Sequence, residues 1–263
     1  MKTSFCLGGL LMNGRGFICF AVALILLGSH AWSGELKSEA TVRKEKPTTR
    51  TQTWNFFSHY KARVQQIEKD IAALPPETTA TVVLLGDSIT EGFKVTELGG
   101  LRVVNMGISG DQIAMDRPDG GVRNRVHLLK QARPAHIFLL IGINDFGSSK
   151  PLEKAKRQYE DLVKAIRETV PEARLHIQSI LPTRGYFAFH NPTVKAMNSF
   201  LEDLAKRTGC DYVDVWSLMA DAKGELRSDY TGDGLHLKPP AYEAWKSLLE
   251  SRVRSDTSAL HNK

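Results

Sequence analysis

Ser88 stands where an apolar run ends. Val82-Val83-Leu84-Leu85 leads into Gly86-Asp87-Ser88, and polar, turn-forming residues follow. A serine hydroxyl is a poor nucleophile until a base takes its proton. His236 is the residue type for that task, and Asp233 lies three positions before it in Asp233-Gly234-Leu235-His236. An Asp-x-x-His spacing just ahead of a helix puts both side chains on one side of a turn. The carboxylate then accepts a hydrogen bond from one imidazole nitrogen, orients the ring and stabilises its protonated form. The other nitrogen is left to face Ser88. Together these groups would carry out nucleophilic acyl transfer.

Acyl transfer also needs donors aimed at the developing oxyanion. Three are available: the backbone N–H of Ser88, the backbone N–H of Gly110 and the side-chain amide of Asn144. Losing one such donor typically costs about 3 kcal/mol of transition-state stabilisation. Glycine at 110 lets backbone approach a substrate with no Cβ in the way. Taken singly, each residue also has a structural use. Asp and Ser serve caps and turns, Gly110 suits a plain turn, and Asn144 suits an Asx-turn. The case for a site rests on their falling together.

The elements that must position them follow from the apolar pattern. Val82 to Leu85 reads as a buried parallel strand, apolar on both faces. Further strands are expected over Leu101–Met106, His136–Ile141, Arg174–Leu181 and Asp211–Val215. Helical spacing marks Gln52 to Leu74, through Trp54, Phe57, Val64, Ile67 and Ile71, with Pro75-Pro76 as its stop. This helix is expected on the outside of the domain. Others are expected over Val122–Gln131, Pro151–Thr169, Pro192–Lys206 and Pro239–Val253, the last with Pro well placed at its first turn. Strands alternating with helices call for a parallel sheet with right-handed crossovers. The expected fold is α/β, a three-layer doubly wound sandwich with a five-stranded parallel sheet, flavodoxin-like. Ligands of such sheets sit at the carboxyl ends of the strands, where Ser88, Gly110 and Asn144 all fall.

Four segments resemble the conserved blocks of the SGNH, or GDSL-type, serine hydrolases, in the family's order. They are Gly86-Asp87-Ser88, Asn105-Met106-Gly107-Ile108-Ser109-Gly110-Asp111, Gly142-Ile143-Asn144-Asp145 and Asp233-Gly234-Leu235-His236. The resemblance covers roughly residues 80 to 250. It implies Ser88 as nucleophile, His236 as general base and acid, Asp233 as orienting carboxylate, and Ser88, Gly110 and Asn144 as the oxyanion hole. Asp87 and Asp145 would hold loops, and no cofactor or metal would be needed. Ile89 departs from the family's usual Leu, an apolar change. The second and third blocks are similar to those of the platelet-activating-factor acetylhydrolase-like and carbohydrate acetylesterase branches, which implies a short, acetyl-type acyl group. Rival readings are a lysophospholipase or thioesterase, an acyltransferase, and a non-catalytic carbohydrate-binding protein. The motif is not Gly-x-Ser-x-Gly, so a nucleophile elbow of the α/β-hydrolase type is not expected.

The 263 residues suit one such domain with extensions, and the net charge of +6 is modest. Residues 1–33 hold Lys2 and Arg15 and no acid, so the remainder is only mildly basic. Its charges are scattered, which argues against a nucleic-acid partner. Phe17 to Leu27 is a short apolar run preceded by Arg15 and followed by small or polar residues. It reads as the core of a signal peptide over 1–33, with cleavage after Ala31 or Ser33 and an exported, periplasmic or secreted, product. An uncleaved anchor is the alternative. Residues 34–50 read as a disordered leader, 51–255 as the hydrolase domain and 256–263 as a frayed tail. Cys6 and Cys19 would leave with the signal, and Cys210 would remain alone, buried and inert. The aromatic stretch Arg184–His190 reads equally as a cleft wall suited to a sugar ring and as a loop packed on the core. The Gly- and Arg-containing loop Arg117–Arg125 reads as solvated, with binding of an anionic part of the substrate as the alternative.

Overall fold

The computed structural model describes residues 54–261, with side chains to 255. The expected signal peptide and leader lie outside these residues. The elements run α1 (Phe56–Ala72), β1 (Thr81–Gly86), α2 (Ser88–Glu91), β2 (Glu97–Leu98), β3 (Leu101–Gly107), α3 (Leu129–Ala132), β4 (Pro134–Leu140), α4 (Ile143–Gly147), α5 (Leu152–Thr169), β5 (Arg174–Gln178), α6 (Asn191–Thr208), β6 (Asp211–Val213), α7 (Val215–Met219) and α8 (Pro239–His261). Two 3₁₀ turns, Val122–Leu128 and Gly185–His190, precede α3 and α6.

The strand order is β2-β3-β1-β4-β5-β6. Five strands are parallel, and β2 adds a two-residue antiparallel edge on β3. The chain steps from β1 to β3, then crosses back past β1 to β4 and outward. Right-handed crossovers in opposite directions put helices on both faces, which is the doubly wound sandwich. Every residue of β1 is buried, as a central strand covered on both faces requires. Register then does the work of positioning. Gly86 lies opposite Gly107 on one side and Leu140 on the other. The three strands therefore end level, and the residues after them, including Ser88, Gly110 and Asn144, emerge side by side at one edge.

The distant fourth block reaches that edge through α8. Trp245 is fully buried, and its indole N–H donates to Gln178 Oε1 of β5 at 2.7 Å. Phe93 stacks on Trp245 and Tyr242, with ring centroids 4.6 and 5.4 Å apart. The Tyr242 hydroxyl donates to Ile89 O at 3.0 Å. The start of α8 is thereby fastened to α2, the helix that begins with Ser88.

Several element bounds differ from those read off the sequence. β5 ends at Gln178 rather than Leu181, because Ile180 leaves the sheet and exchanges hydrogen bonds with the Asn198 side chain of α6. β6 ends at Val213, because Asp214 caps α7 by accepting from Ser217 N at 3.0 Å. α8 runs on to His261 rather than closing at Val253. Cys210 is half-buried and takes a hydrogen bond from Thr208 Oγ1 at 3.3 Å.

At the sheet's opposite end, His176 is buried beside His136 at 3.0 Å and Asp211 at 3.4 Å. Burial and the His136 ring push its pKa down to about 3, against the pull of Asp211. A folded pKa below the unfolded value of about 6.5 means stability that is present above pH 6.5 and lost as pH falls toward 3. Asp87 and Asp145, raised by burial to about 7 and about 6, contribute with the opposite sign in an overlapping window. The expected result is therefore a difference. Between pH 7 and 5 the melting temperature of the wild type should fall more, or rise less, than that of His176→Gln. Parallel curves would remove His176 as the cause.

Candidate active site

His236 Nε2 lies 3.1 Å from Ser88 Oγ. Its Nδ1 lies 2.7 Å from Asp233 Oδ2. A carboxylate only accepts, so Nδ1 carries the proton, and Nε2 of the neutral ring is the acceptor facing the serine. Asp233 Oδ1 accepts from the backbone N–H groups of Leu235 and His236 at 2.9 and 2.8 Å. Partial burial raises the Asp233 pKa, but the His236 hydrogen bond and these two N–H groups outweigh it and hold the carboxyl well below the usual range. The carboxylate is thus ionised wherever the imidazole can work. The loop bearing it is held by Gly234, whose N–H donates to Thr231 Oγ1 at 2.9 Å and whose carbonyl accepts from Arg184 N at 2.8 Å. At φ +89°, a Cβ there would lie 2.3 Å from Arg184 O, so only glycine fits.

Asp87 caps α2, with Oδ1 accepting from Ile89 N at 3.0 Å. This fixes the turn that presents Ser88. Asn144 donates one amide hydrogen to Asp111 O at 2.9 Å, which holds the side chain and leaves the second hydrogen for a substrate. Gly110 has φ +80°, and a Cβ there would stand 3.0 Å from Phe56 Cδ2 and 3.1 Å from Trp54 Cη2. Alanine is strained at this φ and crowds both rings, so Gly110→Ala is expected to shift the loop. The expected result is a fall of about 10²- to 10³-fold in kcat, the usual effect of losing one oxyanion donor, with far-UV circular dichroism preserved. An unchanged kcat would mean that the Phe56 and Trp54 rings give way to the methyl group while the N–H stays in place.

The supports of this edge are residues that the motifs do not name. Glu91, at the end of α2, accepts from Ser109 N at 2.6 Å and Ser109 Oγ at 2.7 Å. It also pairs with His59 of α1 at 3.0 Å. Burial raises its pKa, yet the hydrogen bonds from His59 and Ser109 hold it below the ordinary value. Arg63 of α1 donates to Gly107 O at 3.2 Å and Asn105 O at 2.9 Å. The N-terminal helix therefore braces the loop that carries Gly110, a larger part than that of an outer cover. Asp145 sits buried beneath Asn144, accepts from Ile113 N at 3.1 Å and pairs with Lys150 at 2.5 Å. It holds loops, as does Asp87.

One sequence expectation is corrected here. Arg125 belongs to no solvated loop: it is buried, paired with buried Asp111, and donates to Gly86 O at 2.8 Å and Met106 O at 3.0 Å. Arg117 does face solvent, paired with Asp119 at 3.0 Å. In the 184–190 stretch, Tyr186 and Phe189 are exposed.

A hydroxyl, an imidazole and a carboxylate in line at the carboxyl edge of a doubly wound sheet make the arrangement of a serine-type hydrolase. The family model of the GDSL-like lipases/acylhydrolases matches residues 84–244. The chain belongs to that family and is a carboxylic ester hydrolase. Among solved structures it is similar to a GDSL-like lipase from Bacteroides thetaiotaomicron. The two are 20% identical, with 76% of this chain and 99% of that one covered and a TM-score of 0.62. It is also similar to a carbohydrate acetylesterase from Sinorhizobium meliloti, 16% identical, with 69% and 99% covered and a TM-score of 0.54. Among curated proteins, an N-acylneuraminate cytidylyltransferase from Escherichia coli is 23% identical over 181 residues. The match takes in 67% of this chain and spans only 40% of that relative's length. No helix among the described residues is long and apolar enough to cross a membrane.

Proposed function

We propose that the enzyme removes short acyl groups, acetyl above all, from a carbohydrate through a covalent acyl-serine. The observation that carries the acyl-serine chemistry is the continuous line Ser88–His236–Asp233, with contacts of 3.1 and 2.7 Å. Ser88 Oγ attacks the ester carbonyl as His236 Nε2 takes its proton. The oxyanion is received by the N–H groups of Ser88 and Gly110 and by Asn144 Nδ2. Collapse breaks the bond to the alcohol, whose oxygen takes the proton back from His236. Water then attacks the acyl-serine with His236 again as base, the bond to Oγ breaks, Ser88 Oγ takes the proton from His236, and the acid leaves. Asp233 remains ionised throughout and holds the ring. The short acyl group is supported by the wording of the Gly-Ile-Ser-Gly-Asp and Gly-Ile-Asn-Asp blocks and by the similarity to a carbohydrate acetylesterase.

The expected result with a fluorophosphonate probe is one adduct per chain, on the peptide holding Ser88. An adduct elsewhere, or none, overturns the assignment of the nucleophile. On p-nitrophenyl esters of rising chain length, acetyl is expected to be fastest. Preference for octanoyl would move the enzyme to the lipid-directed side of its family.

A further inference from the structure

Among the described residues, the exposed large hydrophobic side chains are Trp54, Tyr186 and Phe189, at 64%, 83% and 63%. All three belong to segments that touch the candidate site. The Trp54 ring lies against Gly110. Tyr186 and Phe189 sit on the turn that begins at Arg184, and Arg184 is hydrogen-bonded to Gly234 between Asp233 and His236. One ring therefore stands on the oxyanion side and two stand on the base side.

The rings are mounted on held backbone. Tyr186 meets Phe187 and Phe189 edge-on, at 5.3 and 6.1 Å between centroids. Arg184 beneath them is fastened to Asp221, Glu225 and the carbonyl of Leu226. Trp54 packs beside Phe56 and His59, each at 6.3 Å, and His59 is fixed by Glu91. Exposed aromatic surface beside a site marks a binding face more often than chance exposure does.

The chain topology gives the spacing. Gly110 follows β3 and Arg184 follows β5, and these strands stand three intervals apart in the order β3-β1-β4-β5. At about 4.8 Å per interval the ends of these two strands are about 14 Å apart, wider than one sugar ring. The exposed set is made of flat rings and contains no Leu, Ile, Val or Met. A lipid surface would ask for one contiguous apolar patch, whereas these rings stand on two separate segments. A flat ring instead takes the C–H face of a pyranose and leaves its hydroxyls in water.

We propose that Trp54 on one side, and Tyr186 with Phe189 on the other, are stacking subsites for sugar residues flanking the acetylated one, so that the substrate is a polysaccharide chain de-esterified at internal positions. This rests on the reading of the protein as a carbohydrate esterase. Two subsites engaged by one chain reinforce each other, because binding at the first raises the effective concentration at the second.

The test uses acetylated xylan, acetylated glucomannan and O-acetylated peptidoglycan, each against its single-residue acetate. The Ser88→Ala protein, which cannot turn over, is expected to bind at least one of these polymers at least tenfold more tightly than the corresponding single-residue acetate in affinity electrophoresis or calorimetry. In the active background, Trp54→Ala and Tyr186→Ala/Phe189→Ala are each expected to lower kcat/KM for that polymer, relative to p-nitrophenyl acetate, at least tenfold through KM. Trp54→Tyr, which keeps a flat ring, should recover most of that loss. Equal binding of every polymer and its monomer overturns the proposal, as does an unmoved ratio in both variants. Binding to phosphatidylcholine vesicles that the same variants abolish would assign the rings to lipid and also overturn it. Loss of the carbohydrate esterase reading has a different mark: no Ser88-dependent release of acetate from any polymer or monomer.

Discussion

Ser88→Ala and His236→Ala are each expected to lower kcat on p-nitrophenyl acetate by at least about 10⁴-fold, and the double variant is expected to be no slower than either single one. The reason lies in the contact of 3.1 Å between Oγ and Nε2. Each group is useless without the other: an unassisted hydroxyl holds its proton, and an imidazole without a nucleophile beside it has nothing to activate. Groups that act as one unit do not lose free energy additively. Residual rates over water would come from Gly110, Asn144 and the rest of the binding surface, which the variants leave in place. Steady-state rates on the four proteins, each purified to exclude wild-type carry-over, decide the matter. Ser88→Ala with undiminished turnover would put the nucleophile elsewhere. Multiplicative losses would mean that His236 serves a step in which Ser88 has no part.

The local half of this site was legible in the sequence because each piece of it is short. Strand β1 announces itself by an apolar run with both faces covered, and the turn after it by Gly86-Asp87-Ser88. The alternation of strands with helices pointed to a doubly wound parallel sheet and put Ser88, Gly110 and Asn144 at the carboxyl ends of its strands. What could not be read was the meeting of distant residues that belong to none of the four blocks. Nothing in the sequence marks Glu91, on which His59 and Ser109 converge. Arg125, in a stretch of Gly and Arg, has the composition of a solvated loop, and only the fold shows it buried against Asp111. Strand β2 has two residues, too few for any periodicity. The early ends of β5 and β6 are set by Asn198 and Asp214, polar side chains that compete with the sheet for backbone groups.

Three carboxylates, Asp87, Asp111 and Asp145, lie buried under the catalytic edge with Arg125 and Lys150. Asp145 is answered by Lys150 and Asp111 by Arg125. Asp87 has the cap of α2 as its employment, and burial lifts it to about 7. A proton on Asp87 near neutrality relieves the crowding of negative charge that the other two would otherwise feel.

Arg125→Met is expected to destabilise the protein by about 3–5 kcal/mol, because it strands a buried carboxylate without its partner. The Gly86 and Met106 carbonyls lose a donor as well. For a domain of this size that corresponds to a fall in Tm on the order of 10 °C. The cause can be separated from lost packing by adding Asp111→Asn. The second change removes the stranded charge, while the amide oxygen can still accept from Gly121 N, now 2.7 Å from Asp111. Arg125→Met/Asp111→Asn should therefore be more stable than Arg125→Met alone, a favourable coupling that equilibrium urea unfolding of all four proteins measures. A single variant within 1 kcal/mol of wild type, or a double variant less stable than the single, would show that the pair is not what holds this edge. The arginine also joins the ends of β1 and β3 to Asp111, the residue after Gly110. Its removal should loosen the spacing between Ser88 and the oxyanion donors. A loss of kcat at temperatures where the variant is still folded is the expected sign.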